Sequence, residues 1–122
     1  ASQRDLDESL LDAARDGLLD EIRSLLDRHA NIDTGGWPEN DTPLHEASFN
    51  GHHQCVELLL DRYANVNAVD YDNITPLHDA SRNGHHQCIE LLIDRGADIS
   101  IKDVHEDGRD SLLHLLLNEP SL

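Results

Sequence analysis

Two identical blocks of the chain carry side chains that could bind a transition metal. The block "NGHHQC" begins at Asn50 and returns letter for letter at Asn83. Its imidazole and thiol groups are ligands that zinc favours, and zinc needs three or four such ligands at about 2.0–2.3 Å from one point. Whether the blocks bind a metal or build structure depends on the elements that carry them.

Both blocks lie inside a longer repeat with a period of 33 residues. The stretch "TPLHEASFNGHHQCVELLLDRYANVN" from Thr42 aligns with "TPLHDASRNGHHQCIELLIDRGADIS" from Thr75. A weaker copy from Ser9 precedes them, and a fragment from Ser111 follows them. Periods of this size are typical of solenoids, in which each repeat is one supersecondary unit stacked on the next.

Each repeat predicts two short antiparallel helices. Thr42-Pro43 favours a helix start, because a threonine hydroxyl can cap the helix and proline at the first position loses no hydrogen bond. Asn50-Gly51 ends that helix, and a second one is expected from about His53 to Arg62. The second helix has an apolar stripe that only a neighbouring repeat can cover. The stripe consists of Cys55, Val56, Leu59 and Leu60, and its equivalent contains Cys88. Both cysteines are therefore expected to be reduced and buried.

The motifs "TPLH-x-A", "NGH", "VELLL" and "ANVN" resemble the ankyrin repeat, and the resemblance covers essentially the whole chain. It implies an all-α ankyrin-repeat solenoid of stacked helix-turn-helix units with β-turn fingers, in a single domain over residues 1–122. The expected units are an N-terminal capping repeat at about 4–36, repeats at 37–69 and 70–102, and a C-terminal half repeat at 103–122. The resemblance also implies that His45 and His78 bond to the neighbouring threonine and to the turn backbone.

The sequence departs from the family at the ends of the second helices. The family usually has glycine there, but His29 and Tyr63 replace it in this chain, and only Gly96 follows the rule. A side chain in the left-handed backbone conformation costs about 1 kcal/mol, so these junctions are expected to be softer.

This arrangement weakens the metal hypothesis. Corresponding residues of adjacent units are roughly 8–10 Å apart, so Cys55 and Cys88 cannot meet. His52 and His85 occupy the family's structural "GH" position. Zinc binding through His53 and His86 stays as an alternative function.

Catalysis has no comparable signal. The chain has no "GxSxG", Walker-type or "HExxH" motif, and paired carboxylates such as Asp70 and Asp72 are expected in a solvated finger. The sequence therefore predicts no enzyme and no cofactor.

The charge of the chain bears on its partner. Lys and Arg number 9 against 25 Asp and Glu, which gives a formal net charge of −16. This balance argues against nucleic acid or an anionic membrane and favours a basic partner, although it would also serve solubility alone. The apolar runs are far shorter than a membrane span of roughly 20 residues, and the chain shows no signal-peptide pattern. An intracellular location, in the cytoplasm or nucleus, is the expectation.

A partner is expected on the concave surface that fingers and first helices line in a solenoid. The finger sequences "WPEND" and "DYDNI" differ between the two full repeats, whereas the helix sequences largely agree. Three of the four aromatic residues are expected on this surface. The predicted binding residues are Trp37, Glu39, Asp41, Glu46, Phe49, Asn50, Tyr71, Asp72, Ile74, Asp79, Arg82 and Asn83. They predict a non-enzymatic module that binds a Lys/Arg-rich surface or tail of another protein. A structural or engineered repeat scaffold without a partner is a further alternative.

Further resemblances concern single segments. "TPLHEA" followed by "PLHDA" resembles ankyrin domains of the Tonsoku-like type, which read a basic histone tail, and "LHEA" is shared with the ankyrin-and-SOCS-box group. Asn67, with Leu59 eight residues before it, is similar to substrates of the oxygen-sensing asparagine hydroxylase, and a structural turn asparagine is the other interpretation. The C-terminal leucines, Leu112, Leu113, Leu115, Leu116 and Leu117, have one neighbouring unit, which favours weak self-association or fraying.

Overall fold

The computed structural model describes residues 2–102, and within this range the chain forms six helices. They are α1 (Gln3–Asp16), α2 (Leu19–Asp27), α3 (Pro43–Phe49), α4 (His53–Asp61), α5 (Pro76–Arg82) and α6 (His86–Asp94). The predicted all-α architecture of helix pairs is confirmed. The predicted half repeat at 103–122 lies outside the described residues, together with its leucines, so self-association stays a prediction.

The first helix of each full repeat begins as the threonine-proline pair predicts. Thr42 accepts a hydrogen bond from the backbone N–H of His45 through its hydroxyl, and His45 Nδ1 accepts one from the backbone N–H of Thr42 at 3.0 Å. Thr75 and His78 repeat this reciprocal cap at the start of α5. These bonds satisfy N–H groups that a helix start leaves without an intrahelical partner.

The helices stack in two layers. α1 packs against α3 and α3 against α5, while α2 packs against α4 and α4 against α6. The core between the layers is continuous from the first unit to the last described one, as expected of units that cannot bury their apolar stripes alone. Its largest buried apolar side chains are Leu10, Ile22, Leu44, Val56, Leu59, Leu77, Ile89 and Leu92. Cys55 and Cys88 are buried and free, as predicted.

Adjacent units are held in register by a contact between glycine and histidine. Gly51 has a φ of +75°, and a Cβ atom added there would lie 2.6 Å from Nδ1 of the His85 ring. The same ring donates from Nε2 to the carbonyl oxygen of Phe49 at 2.9 Å. Gly17 and His52 repeat this contact one unit earlier. The "GH" histidines are therefore structural.

The unit ends adopt the conformation that the missing glycines predicted. His29 and Tyr63 have φ values of 71° and 68°, in the left-handed region. Beyond these joints, Asn67 Oδ1 accepts a hydrogen bond from the backbone N–H of Asp98 at 2.8 Å, which ties its loop to the next one. Asn67 therefore has a structural role, and its hydroxylation stays a proposal.

The second helices form the outer, convex layer and carry ion pairs between units. Arg62 contacts Asp27 at 3.0 Å, and Arg95 contacts Asp61 at 2.7 Å. Each pair joins an arginine to the aspartate that ends the second helix of the preceding unit. Among helices in the described range, none is long and apolar enough to cross a membrane.

Candidate functional site

Two finger loops project beside the first helices. Finger 1, residues 36–41, is closed by a hydrogen bond from the backbone N–H of Gly36 to the carbonyl oxygen of Asp41 at 2.8 Å. Its Trp37–Pro38 peptide bond is cis. In finger 2, residues 70–74, the N–H of Asp70 donates to the carbonyl oxygen of Ile74 at 3.1 Å. The N–H of Tyr71 donates to the carbonyl oxygen of Glu39 at 3.0 Å, so the two fingers are joined edge to edge.

The structure corrects the expectation for Asp70. Its side chain is 8% exposed, so it does not belong to a solvated surface. Asp70 Oδ1 accepts hydrogen bonds from the backbone N–H groups of Asp72 and Ile74, both at 2.9 Å. A short carboxylate is well suited to close a turn in this way. Asp70 therefore builds finger 2 from the inside.

Fingers and first helices enclose two adjoining pockets on the concave side. The central pocket, about 330 Å³, lies between α3, α5 and the fingers. It is lined by Glu39, Asp41, His45, Glu46, Phe49, Asp70, Asp72, Ile74 and Asp79. The N-terminal pocket, about 350 Å³, reaches α1 and is lined by Glu8, Leu11, Asp12, Arg15, Gly36, Trp37, Pro38, Glu39, Asp41 and Glu46. Glu39, Asp41 and Glu46 line both pockets, which therefore adjoin, and the two pockets together are called the acidic groove below.

Most of the predicted binding residues come together in this groove. The central pocket collects Phe49, Asp72, Ile74 and Asp79, and the N-terminal pocket contains Trp37. Trp37 is 95% exposed and Phe49 is 52% exposed. These aromatic side chains thus do not serve the core.

Four predicted residues line neither pocket, namely Asn50, Tyr71, Arg82 and Asn83. Asn50 donates from its amide to the carbonyl oxygen of Glu46 at 2.9 Å, and Asn83 donates to that of Asp79 at 2.7 Å. Both asparagines therefore close the C-terminal ends of first helices. Tyr71 stands beside the groove with its side chain 73% exposed. A role for these four in binding stays a prediction.

The carboxyl groups of the central pocket crowd one another. Burial raises the pKa of Asp41 to about 7, and a hydrogen bond with Asp70 and the charge of Asp70 add to the rise. Burial also raises the pKa of Asp79 to about 8, together with the charges of Asp41 and Asp70. Burial raises the pKa of Glu46 as well. A raised carboxyl pKa means that the pocket disfavours the charged form.

A metal site in this pocket would need a free histidine. Asp41, His45 and Asp79 offer ligand atoms within 4.8 Å of one another. However, His45 Nδ1 accepts from the backbone N–H of Thr42 at 3.0 Å, and its Nε2 donates to the carbonyl oxygen of Ile74 at 2.7 Å. Both ring nitrogens are therefore used by the scaffold, and the two carboxylates that are left fall short of the three or four ligands of a zinc site.

The alternative zinc site has no geometric support in residues 2–102. His53 and His86 belong to no group of three ligand side chains there, since Asp41, His45 and Asp79 form the one such group in this range. Burial raises the pKa of the Cys88 thiol to about 11 and raises that of Cys55. Protonated thiols are poor metal ligands, because the thiolate is the binding form.

Two residues of the central pocket were missing from the predicted set, namely His45 and Asp70. The sequence marked His45 only as part of the repeated "TPLH" scaffold. The spacing "D-x-D-N" of finger 2 was the available signal for Asp70, since Asp side chains often bond to the backbone two residues onward.

A two-layered stack of helix pairs with joined fingers and a concave groove defines the class of the molecule as a helical repeat solenoid. The family model described as ankyrin repeats (3 copies) matches residues 10–103. The chain belongs to the ankyrin repeat family. Ankyrin repeats generally bind other proteins and are generally not enzymes, so the chain is a protein-interaction module.

Several curated proteins are similar to part of the chain. The probable E3 ubiquitin-protein ligase XBOS32 of Oryza sativa subsp. japonica is 43% identical over 67 residues, which cover 52% of this chain and 13% of the ligase. The E3 ubiquitin-protein ligase XBAT32 of Arabidopsis thaliana is 40% identical over 67 residues, with the same coverage. Oxysterol-binding protein-related protein 1 of Rattus norvegicus is 44% identical over 59 residues, which cover 48% of this chain and 6% of that protein. The chain thus spans a small fraction of these relatives.

Proposed function

We propose that this chain is a non-enzymatic module whose concave groove binds a Lys/Arg-rich surface or tail of another protein. The observation that carries the proposal is the convergence of acidic side chains from fingers 1 and 2 and helices α3 and α5 in one pocket. The two buried free cysteines are typical of a reducing compartment, which supports an intracellular partner. The relatives' ligase names describe proteins of which this chain matches 13%, so no ligase activity is proposed for it.

The electrostatics of the groove favour a cationic occupant. Burial raises the pKa of Asp41 to about 7 and that of Asp79 to about 8, and the charges of other carboxyl groups add to both shifts. An ammonium or guanidinium group placed among them would relieve this repulsion, because an opposite charge favours the ionised carboxylate. The net charge of −16 would also attract a basic partner from a distance at low salt.

The exposed aromatic side chains supply apolar contact area beside the acidic groups. Trp37 lines the N-terminal pocket and Phe49 lines the central pocket. Truncation of a buried aromatic anchor in an interface commonly costs about 2 kcal/mol or more. An aromatic face also attracts lysine and arginine side chains directly. Acidic and aromatic groups together therefore fit a basic segment better than they fit a neutral one.

Binding of a fluorescein-labelled Lys/Arg-rich peptide, followed by anisotropy, tests the proposal. The variant Glu46→Lys reverses a charge inside the groove, and Glu57→Lys reverses an exposed charge on the outer helix α4. We expect Glu46→Lys to weaken binding at least tenfold and Glu57→Lys to change it less than threefold. Binding should weaken as salt rises from 50 to 300 mM. Equal loss in both variants, or equal binding of an acidic peptide of the same length, would refute the proposal.

A further inference from the structure

We propose that Asp41 and Asp79, which lie beside Asp70, form a proton-operated switch: when protonated, the pair links finger 1 to α5, and when deprotonated it is the negatively charged binding site for a basic partner. The second half of this inference rests on the proposed function. The first half concerns the free protein alone, so the two halves can be tested separately.

The cluster is assembled from three elements of the concave side. Asp41 ends finger 1, Asp70 begins finger 2, and Asp79 lies in the first turn of α5. Asp70 is 8% exposed, and its Oδ1 is occupied by two backbone N–H groups. Asp41 and Asp79 have carboxylate oxygens within 4.8 Å of each other, and both line the pocket that Asp70 also lines. Carboxyl groups crowded in this way disfavour simultaneous ionisation, so a proton held between Asp41 and Asp79 would link finger 1 to α5.

The elements packed around the cluster bring mostly further acidic groups. Finger 1 contributes Glu39, finger 2 contributes Asp72, and α3 contributes Glu46. The basic side chain acting on Asp79 is Arg82, on the same helix. The remaining titratable neighbours are His45 of α3, His78 of α5, and Asp12 and Arg15 of α1, which act on Glu46. Repulsion among carboxyl groups therefore outweighs attraction to cations at this point of the fold.

The direction of the pH effect follows from the shifted values. Burial and neighbouring carboxyl groups raise the pKa of Asp41 from 3.8 to about 7 and that of Asp79 from 3.8 to about 8. The folded state therefore holds protons that the unfolded chain has lost. Their contribution to stability is complete below about pH 4, declines as pH rises, and is lost above about pH 8.

His45 acts in the opposite direction. Burial lowers its pKa from 6.5, so its contribution is present at high pH and is lost as the pH falls. The pH dependence of the wild-type protein thus mixes both effects. Asparagine variants separate them, because asparagine has the shape of aspartic acid and does not titrate.

Urea unfolding at pH 5.0 and pH 8.5 tests the first half in Asp41→Asn and Asp79→Asn. Asp72→Asn is the matched control, since it removes one carboxylate from the same pocket. Between pH 5.0 and pH 8.5, the unfolding equilibrium constant of the wild-type protein should increase by a factor at least tenfold larger than the factor for Asp79→Asn. Asp72→Asn should follow the wild-type protein within threefold. Equal pH dependence in all variants would overturn the switch.

Carbon-13 NMR of the aspartate carboxyl groups tests the same half without any substitution. Two resonances of the folded wild-type protein should titrate between pH 6 and pH 9, and Asp41→Asn and Asp79→Asn should each remove one of them. Titration of every aspartate resonance below pH 5 would overturn the inference even if a variant failed to fold.

Calorimetry with a capped octalysine peptide tests the second half, since lysine keeps its charge over this pH range. Binding should be at least fivefold tighter at pH 8.5 than at pH 6.0. At pH 7.5, heats measured in phosphate and in Tris should differ, because the two buffers have different ionisation heats and take up the released proton.

Binding without pH dependence or proton release would overturn the switch and leave the proposed function standing. Carboxyl titration as expected, with no peptide binding at either pH, would refute the proposed function and the charged binding site, and would leave the proton link between finger 1 and α5.

Discussion

Aspartate side chains play opposite parts on the two sides of this solenoid. On the outer side, Asp27 and Asp61 each contact an arginine of the following unit, at 3.0 and 2.7 Å. On the inner side, Asp41, Asp70 and Asp79 contact or face one another in a partly buried pocket. Asp27 and Asp61 therefore support the stack on the outer side, whereas the ionised forms of Asp41 and Asp79 oppose it on the inner side. Carboxyl groups that lower stability point to a use outside the stability of the fold.

The sequence origin of the two sets also differs. The outer aspartates belong to the repeated "DR" pair at the end of each second helix, at residues 27–28, 61–62 and 94–95. The inner set includes a position that changes from unit to unit, since Asp41 aligns with Ile74 at the spacing of 33. The outer set is thus part of the repeated scaffold, whereas the inner set is particular to one junction.

The largest expected effect is on the free energy of unfolding, when an inner histidine rather than an outer one is replaced. His45 is buried and bonds to Thr42 and Ile74, whereas His53 lies on the outer helix α4. His45→Ala should lower the free energy of unfolding by about 2–4 kcal/mol, because it removes buried hydrogen bonds and leaves a cavity. His53→Ala should change it by less than about 0.5 kcal/mol. Chemical denaturation measures both, and a loss of similar size in both variants would contradict the contrast.

Two exposed aromatic residues extend the comparison to binding. Trp37 lines the inner groove, and Tyr63 is 90% exposed at the end of α4. Trp37→Ala should weaken binding of the basic peptide by about 2 kcal/mol, which is about 30-fold, with little change in stability. Tyr63→Ala should leave the affinity within twofold. If Trp37→Ala leaves the affinity unchanged, the alternative of a repeat scaffold without a binding face gains support.

Replacing the residues with left-handed backbone conformation that follow the second helices should have a smaller effect on stability. Tyr63 has a φ of 68°, a conformation that glycine adopts without steric cost. Tyr63→Gly should therefore raise the free energy of unfolding by about 0.5–1 kcal/mol, measured as an increase in Tm. His29→Gly, with a φ of 71°, is the matched test at the preceding unit. A decrease in Tm for both variants would show that the side chains contribute more than the strain costs.

The smallest effect concerns the outer ion pairs. A double-mutant cycle on Asp61 and Arg95, whose side chains are 55% and 39% exposed, should give a coupling energy of about 0.2–1 kcal/mol. The coupling should shrink in 0.5 M salt. A coupling above about 2 kcal/mol would mean that the outer pairs support the stack far more than their exposure suggests.

The repeated features of the fold were predictable from the sequence. The threonine-proline starts, the asparagine-glycine ends and the buried cysteines follow from local rules that act twice in the same way. The 14-residue length of α1, twice that of α3, was not predicted, because the capping unit lacks the "TPLH" start.

The candidate site was predictable only in part. The positions of Trp37, Phe49 and Asp79 on one side follow from the repeat and the finger pattern. The burial of Asp70 and its place beside Asp41 in one pocket do not, because they depend on how finger 1 closes and on the backbone bond between Tyr71 and Glu39. Such contacts between loops of different units leave no periodic signal in the sequence.

The close contact between each "GH" ring and the glycine of the unit before it also limits what the groove can accept. The ring of His85 lies against Gly51 and the ring of His52 lies against Gly17, and a Cβ atom at either glycine would meet the ring at 2.6 or 2.7 Å. These contacts, with the hydrogen bonds from the same rings, hold adjacent units at the spacing that sets the distance between the central and N-terminal pockets. A ligand that places its side chains at another interval would have to bend and lose conformational entropy, so the proposed groove would select partners by the length between their anchor residues as well as by their charge.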